Sequence, residues 1–464
     1  VELPLWPHQK RGLAETIALI QAGENGICVT APTGAGKTVL MKELIRWALK
    51  RGWRIVVYTH RKLLTAQTSG VFEKFGINHG VMASQHRTAF LRDVQVASLW
   101  TINKRVYDNK TWKLPEANLV IVDELHNNAH DTATKIINDH KSAGAVLVGF
   151  TATPVGVKHL CDRLVVAGTN SELRRCGAHI PCETYGPDEP DLRRMKRNDK
   201  GEFVLEDVVK RIMVREDGTK LPRIFGSVLE NWRRLNPDQK PTVLFAPGVP
   251  ESRWFVEFFR ANGITAAHID GETSSEERQE IFDGSKNGDI KIICNRFVLR
   301  EGWDAPWLAH GILATAFGAP SNWLQAVGRL LRSYPGLDSV VLQDHGGHWH
   351  RPGFGSPNSD RVWSLDDTDK EIVKREQAKR DDGEGEQEPI CCPKCQGVRR
   401  TGSICPFCGY EHKKSVRAVV QVDGTLKLMR GPVNKPKRKK SDEEKLWSQY
   451  LFQGLYSGQT FNQV

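Results

Sequence analysis

The chain has 464 residues and a mass of 52.2 kDa, which at about 150 residues per domain predicts two or three domains. Hydrophobic residues make up 39% and charged residues 26%, enough for more than one core, and no run approaches the roughly 18 to 20 apolar residues of a membrane-crossing helix. The net charge of +11 makes a polyanion a candidate partner, but the excess is C-terminal: residues 411–440 hold ten bases and two acids, whereas residues 366–388 hold ten acids and five bases.

Val1 to Gln9 has no basic stretch leading into an apolar one, so no secretory signal is expected. Apolar, β-rich runs at 27–30, 54–59, 119–122 and 145–150 predict buried strands, and 38–50 has helical periodicity. Residues 187–220, rich in charge and turn formers, predict a connector. Strand-like runs resume at 243–246, 266–269, 291–294, 311–314 and 339–342. The alternation predicts an α/β fold with two parallel-sheet domains in tandem. The expected division is 1–183, a connector over 184–222, a second domain over 223–365, a charged linker over 366–388, a cysteine-rich module over 389–412 and a basic tail over 413–464. The tail includes a short helix near 443–455.

The run Ala31-Pro-Thr33-Gly34-Ala35-Gly36-Lys37-Thr38 follows a strand and opens a helix. Gly34 and Gly36 free the backbone N–H groups to wrap phosphate oxygens, Lys37 adds a cation at the outer phosphates, and the Thr38 hydroxyl can ligate Mg²⁺. About 85 residues on, Asp123-Glu124-Leu125-His126 closes another strand. There Asp123 can hold the metal and Glu124 can orient and deprotonate the attacking water. An acidic pair capping the next helix is the plain alternative, and the phosphate loop upstream weighs against it.

These residues resemble the superfamily 2 helicases of the DEAD/DEAH-box group, over roughly residues 3–365. The resemblance implies tandem RecA-like domains that bind ATP between them and nucleic acid across them. It implies that Gln9 reads the base of the nucleotide, that Thr59, Arg61, Gln67 and Ser98 contact a nucleic-acid strand, and that His126, Thr151 and Thr153 couple the two sites. In the second domain, the run Arg300-Glu-Gly302-Trp-Asp304 implies further contacts, Gly302 and Asp304 to ATP and Arg300 to the strand. Relatives often carry a hydroxyl residue where this chain has Arg300. The segment Gln325-Ala-Val-Gly-Arg329-Leu-Leu-Arg332 implies that Gln325 meets the nucleotide. Arg329 and Arg332, three apart on one expected helix, would act as arginine fingers on the γ-phosphate. The connector Glu189–Leu192, residues 298–306 and Asp344-His345-Gly346-Gly347 resemble the branch shared by type III restriction helicase subunits and phage or prophage helicases. His345, His348 and His350 are expected to pack or hydrogen-bond in a loop rather than bind metal.

Cys392-Pro-Lys-Cys395 and Cys405-Pro-Phe-Cys408 are paired turns that can supply four thiolates to one structural Zn²⁺. The module resembles a zinc ribbon, with Cys391 left over. A module this small has little apolar core, so the metal would largely hold it together. A reactive dithiol or disulfide is the alternative, and the remaining cysteines, scattered through apolar runs, fit a reducing cytoplasm. Residues 435–440 are five bases around one Pro, readable as a phosphate contact or as a solvated tail. The expected function is an ATP-dependent DNA helicase or translocase in phage-type replication, recombination or repair. The motor of a restriction system, an RNA helicase and an ATP-switched clamp are the alternatives. A protein partner for the ribbon or tail is also expected, and no membrane association.

Overall fold

The computed structural model describes residues 5–59, 62–83, 89–186, 213–216, 219–222, 227–300, 305–381, 390–391, 398–399, 404 and 409–411. The first stretch runs α1 (Pro7–Gln21), β1 (Gly26–Thr30), α2 (Lys37–Leu49), β2 (Ile55–Thr59), α3 (Lys62–Lys74), β3 (Gly80–Met82), β4 (Val94–Ser98), α4 (Leu99–Ile102), β5 (Leu119–Val122), α5 (Asp131–Ser142), β6 (Val146–Thr151), β7 (Arg163–Val166) and α6 (Asn170–Arg175). Seven strands pair in parallel in the order β3-β4-β2-β5-β6-β1-β7. Their continuous apolar runs suit strands covered on both faces. Ile27 and Val29 enter the cluster under α2, while Cys28 enters the opposite cluster with Val120 and Leu147.

The order β5-β6-β1 brings three strand ends together. Thr30 pairs with Thr151 and Val122 with Gly149, so the loop after β1, the carboxylates after β5 and Thr151 all sit at the C-terminal edge of one sheet. That edge is where open parallel sheets bind ligands. Gly149 makes room for the turn after β5, since a Cβ there would meet Leu125 Cδ2 at 2.3 Å.

β8 (Cys182–Tyr185) belongs to the second sheet, so the chain crosses over before Cys182. The stretch expected as a plain connector holds an antiparallel hairpin, β9 (Met213–Glu216) with β10 (Thr219–Pro222). The alternation resumes with α7 (Val228–Leu235), β11 (Thr242–Phe245), α8 (Val249–Ala261), β12 (Ala266–Ile269), α9 (Ser275–Asn287), β13 (Ile292–Asn295), β14 (His310–Leu313), α10 (Pro320–Gly328) and β15 (Val340–Asp344). The six parallel strands run β12-β13-β11-β14-β15-β8. Val243 and Phe245 face the cluster with Trp323, and Leu244 faces the one with Trp232. Helix α11 (Asp369–Asp381) occupies the stretch expected as linker, followed by two short paired strands, β16 (Ile390–Cys391) and β17 (Val398–Arg399). No described helix is long and apolar enough to cross a membrane. The basic segment 435–440 and the expected helix at 443–455 lie outside the described residues.

Candidate active site

The loop after β1 is shaped by two left-handed glycines, Gly34 at φ +89° and Gly36 at φ +75°. A side chain at 36 would also reach 2.4 Å from Gln9 Nε2. Gln9 is buried and held at both ends: its Nε2 donates to Ala35 O at 2.9 Å and its Oε1 accepts from Trp6 N at 3.0 Å. Lys37 Nζ, at the start of α2, donates to Ala31 O at 3.2 Å and Pro32 O at 3.5 Å. Burial holds the Lys37 ammonium below its usual range. Glu124 and Asp123 pull it back up, and Arg329 and Arg332 add to the depression. Two guanidiniums from the second domain and a carboxylate pair from the first therefore act on the same ammonium. Thr33, Ala35 and Thr38 fall in the same turn, with Ala35 fully buried.

Asp123 follows β5, where burial and then the charge of Glu124 push its carboxyl up to about 7 against the pull of Lys37. Glu124 sits at φ +47°, a strained conformation for a residue with a side chain. Asn128 pins that turn, its Nδ2 donating to Asp123 O at 2.9 Å and Glu124 O at 3.3 Å. Glu124 Oε2 is buried without a hydrogen-bond partner among the described residues, and the His126 ring nitrogen lies 3.7 Å away, too far to bond. An orphaned carboxylate oxygen beside a raised carboxyl suits a hard, oxygen-binding cation such as Mg²⁺ and a water.

From His126, two residues after Glu124, a hydrogen-bonded chain leads to the second sheet. His126 Nδ1 lies 2.8 Å from Thr151 Oγ1, which donates to Thr153 O at 3.0 Å. Gln325 of α10, 4% exposed, donates through Nε2 to Thr153 Oγ1 at 3.0 Å and meets His126 Nε2 at 2.6 Å. The amide of Gln325, expected at the nucleotide, thus sits on the coupling residues. The two arginines do not share a helix as expected. Helix α10 ends at Gly328, whose missing side chain lets the backbone approach Thr33 (a Cβ would lie 3.2 Å from Thr33 Cβ). Arg329 then caps the helix, and Arg332 forms a β-bridge with His179. A Cβ on Gly34 would lie 3.2 Å from Arg332 Cγ, so Arg332 still reaches the phosphate loop.

His179 is a contact that local sequence does not mark. Its Nε2–H donates to Thr33 O at 2.6 Å, and burial drives its imidazole down to about 4, so it is neutral at pH 7. A lone histidine in an apolar stretch carries no signal of such a contact. Thr59 and Ser98 stand opposite each other at the ends of β2 and β4, but both are 1% exposed, and the Thr59 hydroxyl bonds Thr65 at 2.6 Å. Trp100 on α4 is 59% exposed at that edge, while Leu99, Thr101 and Ile102 beside it are buried.

Arg61, Gly302, Asp304 and the four cysteines Cys392, Cys395, Cys405 and Cys408 lie outside the described residues. So do the connector residues 189–192 and the side chains of Gln67 and Arg300. Among the described residues no group of three or more His, Cys, Asp or Glu is placed to hold a metal. Two of the loop histidines hydrogen-bond as expected: His348 Nδ1 meets Asp344 Oδ1 at 2.5 Å while its Nε2 accepts from Phe317 N at 2.7 Å, and His345 bonds Gln343.

A glycine phosphate loop, carboxylates at a neighbouring strand end and a second parallel sheet contributing Gln325 and Arg332 define a two-domain P-loop ATPase. Family comparison matches residues 2–156 to the type III restriction enzyme res subunit and residues 227–334 to the helicase conserved C-terminal domain. The chain carries these two domains of the superfamily 2 helicases, and they make it a nucleic-acid-dependent ATPase. It is 26% identical over 398 residues to a 51.5 kDa protein of a Lactococcus phage (isolate 7-9), covering 82% of this chain and 77% of that one. Among solved structures it resembles a fragment named as the HsdR subunit of a type I restriction enzyme from Vibrio vulnificus, at TM-score 0.57 and 15% identity. That likeness covers 78% of this chain and 69% of that one. It also resembles the ATP-dependent type ISP restriction-modification enzyme LlaBIII bound to DNA, at TM-score 0.52 and 16% identity, covering 73% of this chain and 27% of that one. At these identities both likenesses show the fold.

Proposed function

We propose that the chain is an ATP-driven DNA translocase or helicase serving phage-type replication, recombination or repair in a bacterial cytoplasm. The observation that carries this reading is the bond from Gln325 to both His126 and Thr153, which ties the second sheet to the carboxylate turn of the first. ATP lies in the loop Thr33–Thr38, with Gln9 at its base, Lys37 at its outer phosphates and Gly302 and Asp304 completing the pocket. Thr38 and Asp123 would hold Mg²⁺, which when bound neutralises phosphate charge. Glu124 accepts the proton of the water that attacks the γ-phosphorus, and the bond from the γ-phosphorus to the bridging oxygen breaks, leaving ADP. Arg329 and Arg332 stabilise the charge on the transferring group. Product release then lets the cleft open, and repeated closure moves the strand, which Arg61, Gln67 and Arg300 would grip, Thr59 and Ser98 being buried. Such a grip rests on the backbone, so sequence preference is weak and salt dependence strong.

The phage setting draws on the phage relative, and the DNA assignment on the DNA-bound enzyme that shares the fold. The two restriction-enzyme likenesses favour a second reading, the motor of a restriction system that needs further subunits. Cys392, Cys395, Cys405 and Cys408 would hold a structural Zn²⁺, with the ribbon or the basic tail offered to DNA or to a protein partner. The experiment is steady-state ATP hydrolysis with no nucleic acid, single-stranded DNA, duplex DNA or RNA, beside Glu124→Gln. Stimulation by DNA that the variant loses supports the reading. Stimulation by RNA alone, or none by either, overturns it.

A further inference from the structure

The helicase C-terminal match ends at residue 334, yet the chain beyond it binds back onto both sheets. Leaving β15, it reaches α6, where Asn170 Nδ2 donates to Ser359 O at 2.8 Å and Ser171 N donates to Asp360 Oδ1 at 2.8 Å. Leu365 then packs against the core of the first sheet, and Lys158 pairs with Asp366. Gly156 N donates to Asp367 O at 2.9 Å, three residues after Thr153. Two residues further on, the chain has returned to the second sheet. The Asp369 carboxylate accepts from Ser321 N and Ser321 Oγ, both at 2.8 Å, in the first turn of α10. Ser321 is one helical turn before Gln325. Arg375 of α11 locks the crossing by donating to both oxygens of Asp367, which is 2% exposed, at 2.5 and 3.3 Å.

We propose that residues 352–381 form a strap whose Asp367 and Asp369 are positioning residues for ATP turnover. Three consecutive residues hold the loop that follows Thr153 at one end and the start of α10 at the other. Those are the two segments that Gln325 joins, and the helix that Asp369 anchors leads directly to Arg329. A carboxylate accepting from the first turn also sits where the helix end is positive, which fixes α10 along its axis. Small displacements at such a site slow the chemistry while leaving nucleotide binding nearly intact, because the binding loop belongs to the other sheet.

The test uses the full chain, the three single variants Asp369→Ala, Asp369→Asn and Ser321→Ala, and the double variant that combines Asp369→Ala with Ser321→Ala. It reads turnover at saturating ATP, affinity for a non-hydrolysable ATP analogue and thermal melting. Asp369→Ala is expected to lower kcat about ten-fold while analogue affinity stays within about two-fold. Asparagine can accept from Ser321 N and donate to Ser321 Oγ, so Asp369→Asn is expected to recover most of the rate. Ser321→Ala, which keeps its backbone N–H, is expected to lose about three-fold and to add nothing when combined with Asp369→Ala. Should Asp369→Ala fail to fold, Ser321→Ala and Asp369→Asn still decide. Unchanged kcat in Ser321→Ala, a loss of analogue affinity equal to the loss of rate, or no rescue by asparagine overturns the proposal. The proposal rests on ATP turnover rather than on the DNA reading. Wild-type stimulation by DNA is measured alongside, and its absence counts against that reading while the variant-to-wild-type ratio still judges the strap.

Discussion

Replacing Gln325 by alanine removes the bond between the two sheets that lies nearest the chemistry. The amide donates to Thr153 Oγ1 at 3.0 Å and meets His126 Nε2 at 2.6 Å, and Gln325 and Thr153 are 4% and 1% exposed. Each bond in such a place contributes about 1 kcal/mol net, and a buried group left unpaired costs about 1–3 kcal/mol. Loss of both therefore weakens closure by about 2–4 kcal/mol, a factor of roughly 30 to 1,000 in the closed population. The expected outcome for Gln325→Ala is ATP turnover that falls at least about thirty-fold. Affinity for a non-hydrolysable analogue should stay near wild type, since the loop of Gly34, Gly36 and Lys37 is untouched. Turnover by stopped-flow phosphate release and analogue binding by fluorescence anisotropy measure the two separately. A variant that hydrolyses ATP within three-fold of wild type refutes the relay.

His140, His179 and His310 are buried, and burial drives their pKa values down to about 4, 4 and 3, from the ordinary 6.5 of an imidazole. The unfolded chain therefore binds protons that the native state refuses once the pH falls below about 6.5, and the loss continues until the native values are reached. At pH 5 each histidine costs about 2 kcal/mol, so the urea midpoint is expected to drop sharply between pH 7.5 and 5; a midpoint that holds contradicts the assignment. Gly36→Ala places a Cβ 2.4 Å from Gln9 Nε2 at φ +75°, and is expected to lower ATP affinity at least about ten-fold by calorimetry. Trp100→Ala removes the exposed ring next to the β4 end, and stacking on a base predicts a roughly ten-fold loss of affinity for single-stranded DNA. The loss should vanish on an abasic strand. Metal analysis is expected to find one zinc per chain, and chelation is expected to leave the ATPase core folded by circular dichroism.

Much of the site was legible because its chemistry needs particular residues at short spacing. Gly34 and Gly36 announce left-handed turns, and both adopt them. Strands such as β1 and β5 read clearly because burial on both faces leaves unbroken apolar runs. What escaped depends on the chain returning to itself from far away. His179 reaches Thr33 across 146 residues, and Asp369 meets Ser321 across 48, and neither pairing leaves a mark in local sequence. The helix expected through Arg332 stops at Gly328 because the backbone there must approach Thr33 closely, a demand set by the other sheet. Cys182–Tyr185 joins the second sheet ahead of the long connector, since strand order is fixed by packing rather than by position in the chain.

In the proposed function, closure of the two sheets on ATP moves the protein along DNA. The direct measurement is displacement of streptavidin from oligonucleotides biotinylated at the 3′ or the 5′ end, by the wild type and by Glu124→Gln. ATP-dependent displacement from one end, absent in the variant, is the expected result. DNA-stimulated hydrolysis with displacement from neither end would contradict it and leave an ATP-switched clamp.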